Sequence, residues 1–135
     1  IEDHHISEIV DVATTNDISA IILTNTTNGN RGKLVSDTKK EEGGLSGKPL
    51  QQISTNMIKK FYKQLNGKIP IIGVGGVNSG KSAYDKIVAG ASLLQLYTGF
   101  VYRGPSTAKE IKKELIEILK AEGISNIKDA IGKSA

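Results

Sequence analysis

The run with the sharpest chemical meaning is GGVNSGKS at residues 75–82. It fits G-x-x-x-x-G-K-[ST], the phosphate-binding P-loop, and it follows a short apolar run as such a loop should. Glycines let backbone N–H groups face an anion, and a following helix adds positive potential. The later apolar run at 93–97 has no Asp to hold Mg²⁺, which argues against a nucleotide triphosphatase. We therefore expect a phosphate site of another kind, and a small P-loop nucleotide-binding module stays open as the alternative.

A second glycine break, Thr98-Gly99, follows the next apolar run. In a (β/α)₈ barrel, the loops after the last two strands commonly form a phosphate site. Two glycine breaks at the ends of successive strands suit that arrangement. Two simple strand-to-helix turns explain the spacing equally well, so the spacing alone does not decide.

A polar cluster, Thr24-Asn25-Thr26-Thr27, follows the first apolar run. The amide of Asn25 offers both a donor and an acceptor, which suits a planar ring with amide-like edges. An ordinary turn rich in Asn and Thr is the simpler interpretation, and without further context it is favoured.

Other reactive residue types give no site of their own. Cysteine is absent, which excludes thiolate nucleophiles and zinc–thiolate sites. His4 and His5 have no partner at metal-ligand spacing, and Ser46 has no His or Asp near it in sequence. We assign no catalytic residue and no metal ligand from these residues.

Hydrophobic periodicity predicts which elements position these motifs. Apolar residues at helical spacing alternate with short runs typical of buried strands. Alternation of this kind predicts parallel strands with right-handed crossovers. Three strands and four helices make either a small open α/β sheet or part of a (β/α)₈ barrel, since a complete barrel needs about 250 residues. The predicted helices lie near 6–13, 53–65, 79–89 and 107–122, the last with a Thr107-x-x-Glu110 capping box and a stop at Gly123. The predicted strands lie near 20–24, 70–74 and 93–97.

Composition narrows the choice of partners. The 135 residues suffice for one domain at most, and the net charge is +4. Lysines are mixed with Glu and Asp and are not interleaved with aromatic residues, so we expect no nucleic-acid partner. No stretch approaches the ~18 consecutive apolar residues of a membrane span.

Five ordered blocks carry a resemblance that single motifs do not. They are ILTNTT at 22–27, GGLSGKPL at 43–50, PIIGVGGV at 70–77, AGAS with QLYT at 89–98, and DAIG at 129–132. In this combination the chain resembles the C-terminal portion of the class 2 dihydroorotate dehydrogenases, the quinone-dependent flavoenzymes of pyrimidine synthesis. The resemblance covers nearly the whole chain, so residues 1–135 are interpreted as one portion of a barrel domain.

The resemblance implies an α/β fold, the C-terminal part of a (β/α)₈ TIM barrel, with strands six to eight present. It implies that the 75–76 turn holds the phosphate of FMN, so that a side chain at Gly76 would occupy the space of the phosphate. Lys81 and Ser82 would then be incidental residues of the next helix. Carried over by motif, the FMN contacts are Thr24, Ser46, Gly47, Gly75, Gly76, Tyr97 and Thr98, and the substrate contacts are Asn25 and Thr26.

The family's reaction supplies the remaining expectations. The resemblance implies oxidation of (S)-dihydroorotate to orotate, with FMN as hydride acceptor and quinone as final electron acceptor. The family's serine base and a flavin-side lysine belong to its N-terminal portion, so we expect the 135-residue chain alone to be inactive. That portion also implies peripheral attachment to the bacterial inner (cytoplasmic) membrane or the mitochondrial inner membrane. A portion of a barrel should also leave inward-facing Ile22, Ile72 and Leu94, or their neighbours, poorly covered.

Overall fold

Three parallel strands and the helices on one of their faces make up the fold. The structure is a computed structural model that describes residues 1–29, 31–32 and 34–135. The strands are β1 (Ile21–Leu23), β2 (Ile71–Val74) and β3 (Ala91–Gln95). The α-helices of the described residues are α1 (Asp3–Thr15), α2 (Gln51–Leu65), α3 (Gly80–Val88), α4 (Thr98–Arg103) and α5 (Thr107–Ala121), with 3₁₀ turns at Asp37–Lys40, Lys48–Leu50 and Ile127–Ala130.

The sheet has the predicted topology. Its order is β1-β2-β3 and both pairs are parallel, with Ile22 opposite Ile72 and Gly73 opposite Leu94. The carboxyl ends of all three strands therefore meet at one edge. The strand–helix alternation predicted this arrangement, and the prediction is confirmed.

The two faces of the sheet differ sharply. On the helix side Phe61, Ile58 and Ile71 are buried in one apolar cluster with residues of α1. On the other side Ile22 is 53% exposed and Leu93 is 62% exposed. This open face is what a segment of a barrel presents when the remaining strands are not beside it.

The open face contains Leu93 rather than Leu94. The register shifts between Ile71 and Ile72, because Ile71 pairs with Ala91 and Ile72 with Leu93. Leu94 consequently points to the helices and packs against their apolar clusters. The expectation named Leu94 or its neighbours, and it is the neighbour that lies on the open face.

The helices differ from the predicted ones in two details. The sequence predicted four α-helices, and α4 is a fifth, too short at six residues to show a hydrophobic period. The capping box at the start of α5 does not form as predicted. The N-cap is Ser106 and its hydroxyl contacts Glu110, while Thr107 Oγ1 donates to the carbonyl of Gly104.

The last residues of the chain pack against α2 and α3. The amides of Gly132 and Ser134 donate to the carbonyls of Ile87 and Val88, at 3.1 and 2.9 Å. The ring of Tyr62 fills the space beside Gly132, where a Cβ would overlap it. The DAIG block thus closes the end of the helical layer.

Among the described residues, no helix has the length and apolar character needed to cross a bilayer.

Candidate functional site

A cavity of about 870 Å³ opens at the carboxyl ends of the strands. All nine residues singled out in the sequence line it, although they come from four separate segments. The structure therefore brings together every predicted site residue. Their roles toward particular ligands stay predictions. The segments are Thr24–Thr26 after β1, Ser46 and Gly47 before α2, Gly75 and Gly76 after β2, and Tyr97 and Thr98 after β3.

A short backbone bridge brings the second segment to the first. Thr27 and Leu45 exchange two hydrogen bonds, with N···O distances of 3.2 and 2.8 Å, across an antiparallel bridge. The long loop between them therefore leaves and returns at the same place. Ser46 follows the bridge directly, which is why it lies beside the polar end of β1 rather than far from it.

The polar end of β1 is anchored by its backbone, which leaves its side chains toward solvent. The amide of Thr24 donates to the carbonyl of Val74 on β2 at 3.3 Å. Asn25 Oδ1 accepts from the amide of Thr26 at 2.7 Å, while the rest of the Asn25 side chain is exposed at the cavity. The amide nitrogen of that side chain is a hydrogen-bond donor on a residue that lines the cavity.

Ser46 and Gly47 meet the segment after β3. The hydroxyls of Ser46 and Thr98 are 2.9 Å apart. Gly47 has φ +80°, and a Cβ there would lie 2.8 Å from Cγ2 of Thr98. Any side chain at Gly47 would therefore be strained and would push Thr98 away.

The turn after β2 requires glycine for a reason that the sequence did not give. Gly75 and Gly76 have φ +109° and +74°. A Cβ on Gly76 would lie 2.7 Å from the Cα of Gln51, the first residue of α2. A side chain at Gly76 would therefore collide with the backbone of α2, and the expectation that it would occupy the space of the phosphate stays a prediction.

The P-loop pattern does not have P-loop geometry here. The amides of Asn78 and Ser79 both donate to Ser82 Oγ at 2.9 Å, and the amide of Gly80 donates to Glu114 Oε2 at 2.5 Å. Three amides that a P-loop would turn toward phosphates thus have protein partners. Lys81 is exposed and pairs with Asp85 on its own helix. Nothing in the structure supports binding of a nucleoside triphosphate in the manner of a P-loop by residues 75–82.

Ser82 is more than an incidental helix residue. It is buried and forms a capping box with Ser79, which fixes the start of α3. The sequence missed this role because Ser82 fell inside the P-loop pattern.

Two arginines at the rim of the cavity were also missed. Arg31 donates hydrogen bonds to the carbonyls of Lys39, Glu41 and Gly43. One guanidinium group thus connects three positions of the long loop to a fourth. A lone arginine in an aperiodic loop has no spacing that predicts such contacts.

The second arginine at the rim of the cavity is Arg103, at the end of α4. It donates to the carbonyl of Asn78 and to Glu110 Oε2, the latter at 2.8 Å, and its Nη2 lies 3.4 Å from Glu114. A hydrogen bond from Ser106 and, after it, the nearby Arg103 charge lower the pKa of Glu110. The guanidinium is thus shared between the glycine-turn segment and α5, and it ties α4 to both.

The described residues contain no group of three or more His, Cys, Asp or Glu side chains arranged to hold a metal. His4 and His5 lie at the start of α1 and do not line the cavity. The cavity lining includes backbone, hydroxyl, amide and guanidinium groups, together with the charged side chains of Lys39, Glu41, Glu42 and Lys48.

Parallel strands, helices on one face and a cavity at the carboxyl ends are typical of a segment of a (β/α)₈ barrel, a fold whose ligands bind at that end of the strands. The sequence model of the family described as dihydroorotate dehydrogenase matches residues 1–119. The chain belongs to the dihydroorotate dehydrogenase family, whose members are oxidoreductases.

Its relatives are longer than the chain. It is 48% identical over 94% of its length to the mitochondrial dihydroorotate dehydrogenase (quinone) of Arabidopsis thaliana, and covers 28% of that protein. The corresponding mouse protein is 47% identical over 93% of the chain, which covers 32% of it. The ligand-free enzyme of Eimeria tenella superimposes with a TM-score of 0.95 at 44% identity, over 98% of this chain and 37% of that one. The chain therefore spans about a third of the length of these relatives.

Proposed function

We propose that the full-length protein containing this chain oxidises (S)-dihydroorotate to orotate, with FMN as hydride acceptor and a quinone as final electron acceptor, in pyrimidine synthesis. The observation that carries the proposal is the convergence of nine motif residues from four segments on one cavity. Family membership supports the same reaction. The chain contributes part of the flavin and substrate sites.

The fit of FMN rests on the cradle at the phosphate end. Gly47, Gly75 and Gly76 all have positive φ and line the cavity, so backbone without side chains faces the ligand there. Backbone N–H groups near Gly76 and Thr98 would bind the phosphate, and the hydroxyls of Ser46 and Thr98, 2.9 Å apart, would supply further hydrogen bonds to FMN. When bound, FMN supplies the acceptor for the hydride that leaves the substrate.

Asn25 and Thr26 are the proposed substrate contacts. Dihydroorotate has ring N–H and C=O groups of the kind that an amide and a hydroxyl pair with. Thr24, one residue earlier, is proposed to contact the flavin. Adjacent residues at the end of a strand point to different sides, so neighbours can serve two stacked ligands.

The residues that move the substrate proton are proposed to lie outside this chain. By family resemblance, a serine takes the C5 proton while the hydride leaves C6, and a lysine assists near the flavin. Both belong to the part of the relatives that this chain does not span. The contribution of the present residues is to bind the two ligands and to hold the substrate ring against the flavin.

The proposed quinone acceptor also indicates where in the cell the full-length protein acts. Relatives named dihydroorotate dehydrogenase (quinone) include mitochondrial proteins. Because quinones of electron transport partition into lipid, we propose peripheral attachment to the bacterial inner membrane or the mitochondrial inner membrane. The N-terminal portion of the family supplies that attachment.

The test uses the purified full-length protein. Flavin released by denaturation should be FMN, near one per chain. Dihydroorotate should bleach the bound flavin without oxygen, and a soluble quinone should restore its colour. A flavin-free protein, or one whose flavin dihydroorotate does not reduce, would contradict the proposal.

A further inference from the structure

One lysine of α3 lies inside the protein rather than on its surface. Lys86 has no exposed area, and its burial lowers its pKa from 10.5 to about 8. Its Nζ donates to Ser54 Oγ at 2.9 Å, Thr55 Oγ1 at 3.2 Å and the carbonyl of Gln51 at 3.4 Å. Lysines are almost never fully buried without a paired charge. An ammonium group held only by neutral oxygens of α2 therefore calls for an explanation.

Two of its three acceptors lie directly under the glycine turn. A Cβ on Gly75 would be 3.1 Å from Cβ of Ser54, and a Cβ on Gly76 would be 2.7 Å from Cα of Gln51. The hydroxyl of Ser54 also donates to the carbonyl of Val74, the residue before the turn. The lysine is thus joined to the turn through the first residues of α2.

We propose that Lys86 is a positioning residue for the phosphate end of the flavin site. Its ammonium group holds Ser54 and Gln51 under the glycine turn and places a positive charge behind it. Lys86 does not line the cavity, so it acts through α2 and through its field rather than by contact. This inference rests on the proposed function, because it takes the phosphate of FMN as the anion at the turn.

The charge on Lys86 predicts that FMN affinity depends on pH. A phosphate near the turn favours the protonated form of a buried amine. Proton binding and FMN binding therefore reinforce each other. The three α2 groups that accept hydrogen bonds from Lys86 are neutral, and the charged group that acts on it is the carboxylate of Asp85 on α3, which raises its pKa. FMN affinity should consequently fall as pH rises through about 8.

The experiment measures the FMN dissociation constant of the full-length protein by quenching of flavin fluorescence, from about pH 7 to about pH 9.5. Lys86→Met keeps the length of the side chain and removes its charge. It should weaken FMN binding about tenfold at the lower pH, the equivalent of about one pKa unit. It should also abolish the pH dependence near 8. Lys81→Met is the matched control, since Lys81 lies on the exposed side of the same helix and should leave both unchanged.

A second variant covers failure of the first to fold. Ser54→Ala breaks the connection between the ammonium group and the turn and should weaken FMN binding in the same way. Combined with Lys86→Met, it should add little, because the two residues act as one unit. The pH profile of the unmodified protein tests the charge without any variant.

A Lys86→Met protein with unchanged FMN affinity overturns the inference, even if it unfolds more easily, because Lys86 would then be a packing residue only. A flat pH profile for the unmodified protein also overturns it. Those results leave the proposed function standing. An unmodified protein that does not bind FMN removes both.

Discussion

Two glycine-rich segments border the same cavity, and the protein holds them by different means. The turn at Gly75 and Gly76 rests on the first turn of α2, with no room for a Cβ at Gly76. The long loop between Thr27 and Leu45 is gathered by hydrogen bonds from Arg31 to three carbonyls, and its Val35 is 98% exposed. The turn is fixed by packing and the loop by a polar tether.

This difference separates two tasks of a binding site. A phosphate cradle needs backbone held in one conformation, which close packing provides. Exposed hydrogen bonds such as those of Arg31 break at lower cost than a packed backbone, so we expect the loop to open more easily than the turn. The largest effects of mutation should therefore fall on the turn and the smallest on exposed charges.

Substitution of one glycine in the turn and one in the loop tests this difference most directly. Gly76→Val adds positive-φ strain and a collision with α2, so the free energy of unfolding should fall by about 3 kcal/mol or more. Bound flavin should be lost with it. Gly43→Val, at φ +117° with nothing within 4 Å, adds strain alone and should cost about 1–2 kcal/mol. Denaturant titration of both full-length variants measures this difference, and equal losses would mean that packing does not hold the turn.

Asn25→Ala tests the polar end of β1 with the turn intact. FMN should stay bound, while kcat/KM for dihydroorotate falls about 5- to 150-fold, the cost of leaving a buried polar group unpaired, about 1–3 kcal/mol. Stopped-flow reduction of the flavin by dihydroorotate checks this. Reoxidation by quinone is the internal control and should be little affected. An unchanged rate of reduction would remove Asn25 from the substrate site.

Arg31→Met tests the polar tether. Without the guanidinium, the loop should be cut faster by protease, and the KM for dihydroorotate should rise by about threefold to tenfold, for a loss of about 1 kcal/mol of hydrogen bonding. The FMN content should not change. Arg31→Lys should recover only part of the effect, because an ammonium group cannot reach three carbonyls with the same planar geometry. A loss of FMN in Arg31→Met would show that loop and turn are coupled after all.

Lys81→Ala should have the smallest effect. Its ion pair with Asp85 is exposed at i,i+4 spacing, which is worth about 0.3–0.5 kcal/mol at most. Flavin content should remain unchanged, as measured from the absorbance of the purified protein. If Lys81→Ala lost its ligand while Gly76→Val retained it, the P-loop interpretation would be the better one.

Sequence reasoning predicted most of the fold because the strand–helix alternation is regular and its periods are strong. It missed α4, whose six residues are too few to show a period. It predicted that Leu94 or one of its neighbours lies on the open face. It could not decide between them, because the alternation of apolar and polar residues does not reveal a shift of register. In each case the missing information was geometry between segments rather than within one.

The candidate site shows the same division. Its nine residues were found because ordered motif blocks retain their spacing. Arg31 and Lys86 were missed because both act at a distance in sequence, one on carbonyls 8 to 12 residues away and the other on α2 more than 30 residues earlier. A lysine in an amphipathic helix is expected at the surface, and only the packing of α3 against α2 buries this one.

The shift of register in β3 has a consequence for insertions and deletions. Ile71 pairs with Ala91 and Ile72 with Leu93, so Ser92 has no place of its own in the ladder. Removing Ser92 would leave every later side chain of β3 on its present face. Removing Leu93 instead would bring Ser92 into the ladder opposite Ile72, so the later residues would keep their faces but a serine would replace the leucine on the open face. Along β3, Ser92 is therefore the position where we expect relatives to tolerate a gain or loss of one residue.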